Sequence, residues 1–345
     1  MNQSNTTGNT SGKRPTTKLR LLAAAVAVLL ALASGEVILR LMDYPAEMKP
    51  GAEALGAEWD RLIHRPSAIP GLAYELAPGL DREVFGFRLR TNRLGMRGPE
   101  VGAKPAGVRR ILALGDSITF GWMVDENQAW PARLAQMLDA GPGRFEVLNL
   151  AVSGYSSRDE TNLLLQRAPG LSPDLVIVGY CLNDPENEPV QPLSAFYARP
   201  AWWQHSNLLR LLWKGIWLLR IERYGGGDYF LYLHRYPPAW QTVTNSFARL
   251  GQWSRELHVP VMVAIFPDLS RPAAGYPYAV VHDQVAAAAR AAGLDVLDLR
   301  PAYDAEPREL TRISAADAHP SPLGHQLAAR AILEAVEQLE PGWFQ

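Results

Sequence analysis

Two short segments, far apart in the chain, carry side chains able to do acyl-transfer chemistry together. The first reads Leu114-Gly115-Asp116-Ser117-Ile118-Thr119-Phe120-Gly121. The apolar run before it, residues 111–114, is a candidate buried strand. Ser117 therefore stands where a strand's C-terminal end exposes a nucleophile and where neighbouring amides can face a developing oxyanion. The same Gly-Asp-Ser also makes an ordinary turn, with Asp and Ser bonding their own backbone. The second segment, Asp317-Ala318-His319-Pro320-Ser321, sets a carboxylate and an imidazole just ahead of the last helix. Ser321 suits that helix's N-cap and Pro322 its first position. Serine is a poor nucleophile at its own pKa and needs a base such as His319 to take its proton during attack. Two further strand ends supply candidate donors: Gly154, whose amide can approach a ligand closely, and the side-chain amide of Asn183.

The elements that must position these groups are legible as alternating patterns. Residues 111–114, 147–150, 175–178, 261–266 and 296–299 are short apolar runs, each fit to be a strand buried on both faces. Helical patterns lie between and after them, at 132–138, 240–257, 281–292 and 323–339. Strands alternating with helices predict an α/β fold, a parallel sheet covered on both sides, with ligands beyond the C-terminal strand ends. No internal repeat is present.

Taken in order, Gly115-Asp116-Ser117, Gly154, Gly179 with Asn183, and Asp317 with His319 resemble the SGNH or GDSL hydrolase superfamily of lipases and acylhydrolases. The resemblance covers about 110–340. Residues 92–100, with Gly95-Met96-Arg97-Gly98, look like membrane-anchored bacterial members and extend it to about residue 85. It implies a flavodoxin-like three-layer sandwich with a five-stranded parallel sheet in the order 2-1-3-4-5. It also implies Ser117 as nucleophile, His319 as general base, Asp317 as its orienter, and an oxyanion hole from the Ser117 amide, the Gly154 amide and the Asn183 side chain. One position departs from the family pattern, which puts the Asp three residues before the His; here Ala316 holds that place and Asp317 is two before.

Composition narrows the function further. The 345 residues carry 34 Lys+Arg against 35 Asp+Glu, so there is no basic surplus of the kind a dedicated nucleic-acid binder shows. One cysteine, Cys181, excludes an intrachain disulfide and a Cys-rich zinc site; it reads as a small buried side chain. The seven histidines show no ligand spacing, so neither metal nor cofactor is expected. His325 reads as a helix-surface residue, and Asp116 and Asp184 as holders of loop backbone.

The chain divides into a basic leader at 1–20, expected to be disordered and cytoplasmic, an apolar segment at 21–41, a proline-interrupted stalk and small cap at 42–105, and the main domain at 106–345. Within the stalk and cap, residues 74–90 alternate loosely enough for short strands or a hairpin. Lys13, Arg14, Lys18 and Arg20 precede the apolar segment, an order that sends the remainder across the membrane. Segment 21–41 reads as an uncleaved signal-anchor in the bilayer, with Glu36 and Arg40 paired at its edge; the alternative is a signal peptide cleaved near Ala33 and a secreted product. An insertion at 197–240 holds five of the ten tryptophans: Trp202, Trp203, Trp213, Trp217 and Trp240. It reads as an interfacial helix, a lid, a sugar-stacking surface or a packed second lobe. The expected function is a serine esterase acting outside the cytoplasm on a carbohydrate ester or other small acylated substrate. The alternatives are an O-acyltransferase modifying an exported polysaccharide and a non-catalytic scaffold with the same fold. Nothing in the sequence points to a protein partner.

Overall fold

The computed structural model describes residues 16–44, 62–84, 86–140, 144–186 and 201–344. Residues 1–15 of the expected leader, 45–61 of the expected stalk and 197–200 of the insertion lie outside the described residues. The chain opens with helix α1 (Thr17–Leu41). Two small antiparallel pairs follow: β1 (His64–Pro66) with β2 (Tyr74–Leu76), and β3 (Asp81–Val84) with β4 (Phe87–Arg90). Then come β5 (Arg109–Gly115), α2 (Ser117–Phe120), α3 (Trp130–Asp139), β6 (Phe145–Asn149), α4 (Ser157–Leu171) and β7 (Leu175–Tyr180). The second half holds α5 (Asn207–Arg220), α6 (Tyr229–Arg235), α7 (Pro237–Leu257), β8 (Val261–Ile265), α8 (Ala279–Ala291) and β9 (Asp295–Asp298). It closes with α9 (Arg300–Asp304), α10 (Arg308–Thr311) and α11 (Pro322–Leu339).

The main sheet is five-stranded and parallel, in the order β6-β5-β7-β8-β9, which is 2-1-3-4-5 counted from β5. Its central strands β7 and β8 are buried at every position, the signature of a sheet covered on both faces. Successive side chains point to opposite sides. Ile111, Ala113, Leu175, Ile177, Met262 and Ala264 meet α3 and α11 on one face, while Leu112, Leu114, Val176, Val178, Val263 and Ile265 meet α4, α7 and α8 on the other. Three layers result, with the C-terminal strand ends left free for a site.

The described part of the upstream segment, from residue 62, packs on this core. Ile63, Tyr74, Leu76, Phe87 and Leu89 are buried in the same cluster as α4 and α7. Helix α1 has a mean hydropathy of 2.3 over an 18-residue window and no buried residue. It is long and apolar enough to cross a membrane, as an anchor or a signal sequence. Arg40 Nε lies 2.6 Å from Glu36 Oε1 near its end.

Two glycines let β5 and β7 close beneath the serine. Gly115 ends β5 at φ 152°, where a Cβ would lie 2.1 Å from Thr119 Oγ1. A Cβ on Gly179, its partner on β7, would lie 2.2 Å from the same atom. Thr119 is fully buried and its hydroxyl accepts from Trp130 Nε1 at 3.3 Å, so it has nowhere to retreat. Gly179→Ala is expected to lower unfolding free energy by about 1–3 kcal/mol through overpacking, and Thr119→Ala in the same chain to recover part of that loss. A double-mutant cycle by urea unfolding measures the coupling; strictly additive losses would sink this account.

Candidate active site

Ser117 is the first residue of the single-turn helix α2. Asp116 caps that turn, its Oδ1 accepting from Ile118 N at 3.0 Å, and Gly121 ends it in the left-handed conformation. His319 arrives from the loop between α10 and α11. That loop is tied by the Arg312–Pro320 bridge and by Ile313 N donating to His319 O at 2.8 Å. Ser321 Oγ accepts from Gly324 N and so fixes where α11 begins.

The two segments meet in one hydrogen-bonded line. His319 Nε2 is 2.8 Å from Ser117 Oγ, and His319 Nδ1 is 2.6 Å from Asp317 Oδ1. A carboxylate only accepts, so Nδ1 carries the proton and Nε2 presents its lone pair to the serine hydroxyl. The two-residue spacing has a local reason: Asp317 Oδ1 also accepts the backbone N–H of His319 at 3.0 Å, an Asx-type turn that only an Asp two residues ahead can make. The hydrogen bond from His319 holds the Asp317 carboxyl below the usual carboxylate range. The His319 backbone N–H and the Trp122 indole add to the effect, and partial burial opposes it.

Trp122 is a site residue that sequence reasoning missed. Its ring lies 6.0 Å from that of His319, and its indole helps to hold the Asp317 carboxyl down. Its only signal in sequence is its place in the loop that follows the serine. Arg97 is the second. Its Nη1 donates to Phe120 O at 2.7 Å and Gly121 O at 2.6 Å, and its Nη2 to Val124 O at 2.6 Å, clamping the loop that carries Trp122.

A cavity of about 500 Å³ opens over this line, walled by Ser117, Asn183, Asp317, His319, Phe266 and, from the aromatic insertion, Phe230. His319 keeps 30% of its side chain exposed, so a substrate can reach the imidazole. Asn183 Nδ2 donates to Asp116 Oδ2 at 3.0 Å, and the second hydrogen of that amide remains for a ligand. Gly154 is not among the lining residues. It sits at φ 79° in the turn after β6, which Tyr74 of β2 braces by donating its hydroxyl to Ser153 O at 3.0 Å.

Beneath the serine lies a buried acidic group. Cys181 Sγ donates to Asp116 Oδ1 at 3.0 Å and Cys181 N to Asp184 Oδ1 at 3.2 Å. Burial, with the Asp116 charge alongside, pushes the Cys181 thiol and the Asp184 carboxyl well up. Burial and then Asp184 do the same to Glu160 of α4, neither of whose side-chain oxygens has a partner among the described residues. His325 departs from expectation. It is fully buried, not on the helix surface; Nδ1 accepts from Trp130 N at 3.2 Å, and burial pulls its pKa down to about 3.

A serine, an imidazole and a carboxylate in line at the C-terminal edge of a parallel sheet are the equipment of a hydrolase that works by acyl transfer. The chain belongs to the GDSL-like lipase/acylhydrolase family, whose model matches residues 113–327, and is a hydrolase acting on ester bonds. No curated protein sequence matches it. Among solved structures it is similar to TesA, at 17% identity over 67% of this chain and 99% of that one, with a TM-score of 0.44. It is similar to the psychrotrophic esterase EstA from Pseudoalteromonas sp., at 12% identity over 68% and 99%, with a TM-score of 0.41. It is also similar to a catalytic mutant of Axe2, an acetylxylan esterase from Geobacillus stearothermophilus, at 19% identity over 66% and 94%, with a TM-score of 0.41.

Trp122→Ala removes the ring packed beside His319 and loosens the placement of the imidazole, a loss of roughly 10- to 100-fold in kcat with KM little changed. Steady-state ester hydrolysis reads both constants, and an unaltered kcat would count against the role. Glu160 gives a pH test. Its folded pKa lies above the ordinary value of 4.5, so the folded chain holds the proton more tightly. That stability is whole below about 4.5 and is lost as pH rises through the folded pKa, at about 1.4 kcal/mol per unit. Glu160→Gln carries no such charge, so its melting temperature should gain on the parent chain's between pH 5 and pH 8. Parallel melting curves would refute the assignment.

Proposed function

We propose that the protein is a serine esterase that cleaves an oxygen ester through an acyl-enzyme on Ser117. The single observation that carries this reading is the unbroken line Ser117 Oγ, His319 Nε2, His319 Nδ1, Asp317 Oδ1 under an open cavity. Ser117 Oγ attacks the acyl carbonyl as its proton passes to Nε2, and Asp317 stabilises the imidazolium that forms. The oxyanion is met by the Ser117 amide and the Asn183 side chain, with the Gly154 amide as a third donor once substrate is bound. Each such donor is worth about 3–4 kcal/mol of barrier. The imidazolium then gives its proton to the departing alcohol. Water enters and attacks the acyl carbon as it loses a proton to Nε2; the acyl–Oγ bond then breaks, the imidazolium returns that proton to Ser117 Oγ, and the carboxylic acid leaves.

The substrate is a carbohydrate ester or other small acylated molecule outside the cytoplasm. In support, the cavity joins the apolar walls Phe230 and Phe266 to the polar groups Asn183 and Asp268. Helix α1 serves as an uncleaved anchor, with the basic N-terminal residues on the cytoplasmic side. The full chain in detergent should be labelled by a fluorophosphonate and should hydrolyse a short-chain aryl ester. Ser117→Ala should remove labelling outright and lower turnover by several orders of magnitude. Labelling or turnover that survives this substitution would overturn the proposal.

A further inference from the structure

The aromatic insertion divides its side chains between two faces. Trp213 and Trp217 of α5 stack in a ladder with Trp203 from the turn before the helix, ring centroids 6.4 and 5.6 Å apart, and Trp217 meets Tyr229 at 6.0 Å. Trp217 and Tyr229 pack on the buried cluster of Ile221, Tyr232, Leu233 and Ala239. The opposite face is aliphatic and uncovered: Leu212, Ile216 and Leu219, at helical spacing, are 55, 49 and 71% exposed, with Leu218 beside them. Trp202, just before the helix, is 78% exposed.

What lies against the first turn of α5 indicates what covers this stripe. Glu36, near the end of α1, accepts from Asn207 N at 3.1 Å, Leu208 N at 2.9 Å and Ser206 Oγ at 2.9 Å, occupying the free N–H groups of the helix start. Arg40 Nη2 donates to His205 O at 2.8 Å, and Asn207 Nδ2 to Leu39 O at 3.2 Å. The helix therefore starts where the uncharged run of α1 ends, at the level of the membrane edge if α1 spans. A face of Leu and Ile with no hydrogen-bonding group suits acyl chains, and an exposed Trp beside it suits the headgroup boundary. We infer that α5 is an interfacial helix whose Leu212–Ile216–Leu219 stripe lies in the outer surface of the bilayer that α1 crosses. The inference rests on the anchor reading of α1. Phe230, on the next helix, walls the catalytic cavity, so this contact also ties the cavity to the membrane surface.

The test uses the full chain in phosphatidylcholine–phosphatidylglycerol vesicles, with an environment-sensitive dye on single introduced cysteines. Cys181 is buried and stays unlabelled. Leu212→Cys, Ile216→Cys and Leu219→Cys report on the stripe, Val28→Cys on the span, and Arg290→Cys on the water-facing surface. Dyes at 212, 216 and 219 should be quenched severalfold more by nitroxide lipid than the dye at 290, and less by aqueous iodide. If they match position 290 while position 28 is quenched by lipid, the interfacial helix is wrong and the anchor stands. Shielding from both quenchers would mean a protein covers the stripe, and that also overturns the inference. If position 28 is not quenched by lipid, the anchor reading falls, and lipid quenching at 216 and 219 alone would still support contact with the surface.

Discussion

A guanidinium buried with no carboxylate partner among the described residues sets the geometry of this site. Arg97 lies between the rings of Phe87 and Phe120, at 5.2 and 4.8 Å, and spends its donors on three backbone carbonyls. Burial lowers its pKa only to about 10, so it remains charged at neutral pH. The carbonyls it satisfies belong to the end of the nucleophile helix and the loop behind it, groups that a single-turn helix cannot pair by itself. That loop carries Trp122, whose ring packs beside that of His319, and His319 in turn is hydrogen-bonded to Asp317. A residue from a segment upstream of the sheet thus anchors the loop that packs against the imidazole. Tyr74, from the same segment, braces the turn that carries Gly154.

The buried acids below the serine fit the chemistry above them. Asp116, Glu160 and Asp184 lie close enough together to feel one another's charge, and Asp116 lines the cavity beside Ser117. Three full negative charges there would oppose the transition state that the amide donors stabilise. Burial eases the conflict by pushing the Glu160 and Asp184 carboxyls and the Cys181 thiol well above their ordinary pKa values, against the charged forms. Asp116 has donors of its own from Ile118, Cys181 and Asn183. Its position fixes the Asn183 amide at the cavity wall.

The sheet was legible because strands buried on both faces must be continuously apolar, and the runs at 175–178 and 261–266 can be little else. Ser321 and Pro322 likewise announced the start of α11, since a cap is a local interaction. What stayed hidden depends on distant contacts. Helix α4 starts with Ser-Arg-Asp-Glu-Thr-Asn and buries Glu160 and Thr161, so no apolar stripe marks its first turns. His325 looked like a surface residue because its partner, Trp130 N, is far away in the chain. The prolines of the upstream segment suggested a stalk, yet short strands between them suffice to bury Tyr74 and Leu89. Trp122 carries no mark of its place, because its contact with His319 exists only after the C-terminal loop has folded back.

The insertion shows the same limit from composition. Five tryptophans within 197–240 fit a packed second lobe first, and also a lid, a sugar-stacking surface or a lipid face, because an aromatic ring serves them all. The structure separates them by geometry: Trp203, Trp213 and Trp217 stack on one another, and the uncovered face belongs to leucine and isoleucine. An aromatic ladder loses little conformational freedom when it orders, so it can hold a helix in place without a deep core behind it. That rigidity lets α5 keep an apolar stripe outward, and Glu36 fixes where the stripe begins. Without the Glu36 carboxylate α5 would keep its Ser206 cap, but it would lose three of the hydrogen bonds that tie its first turn to α1.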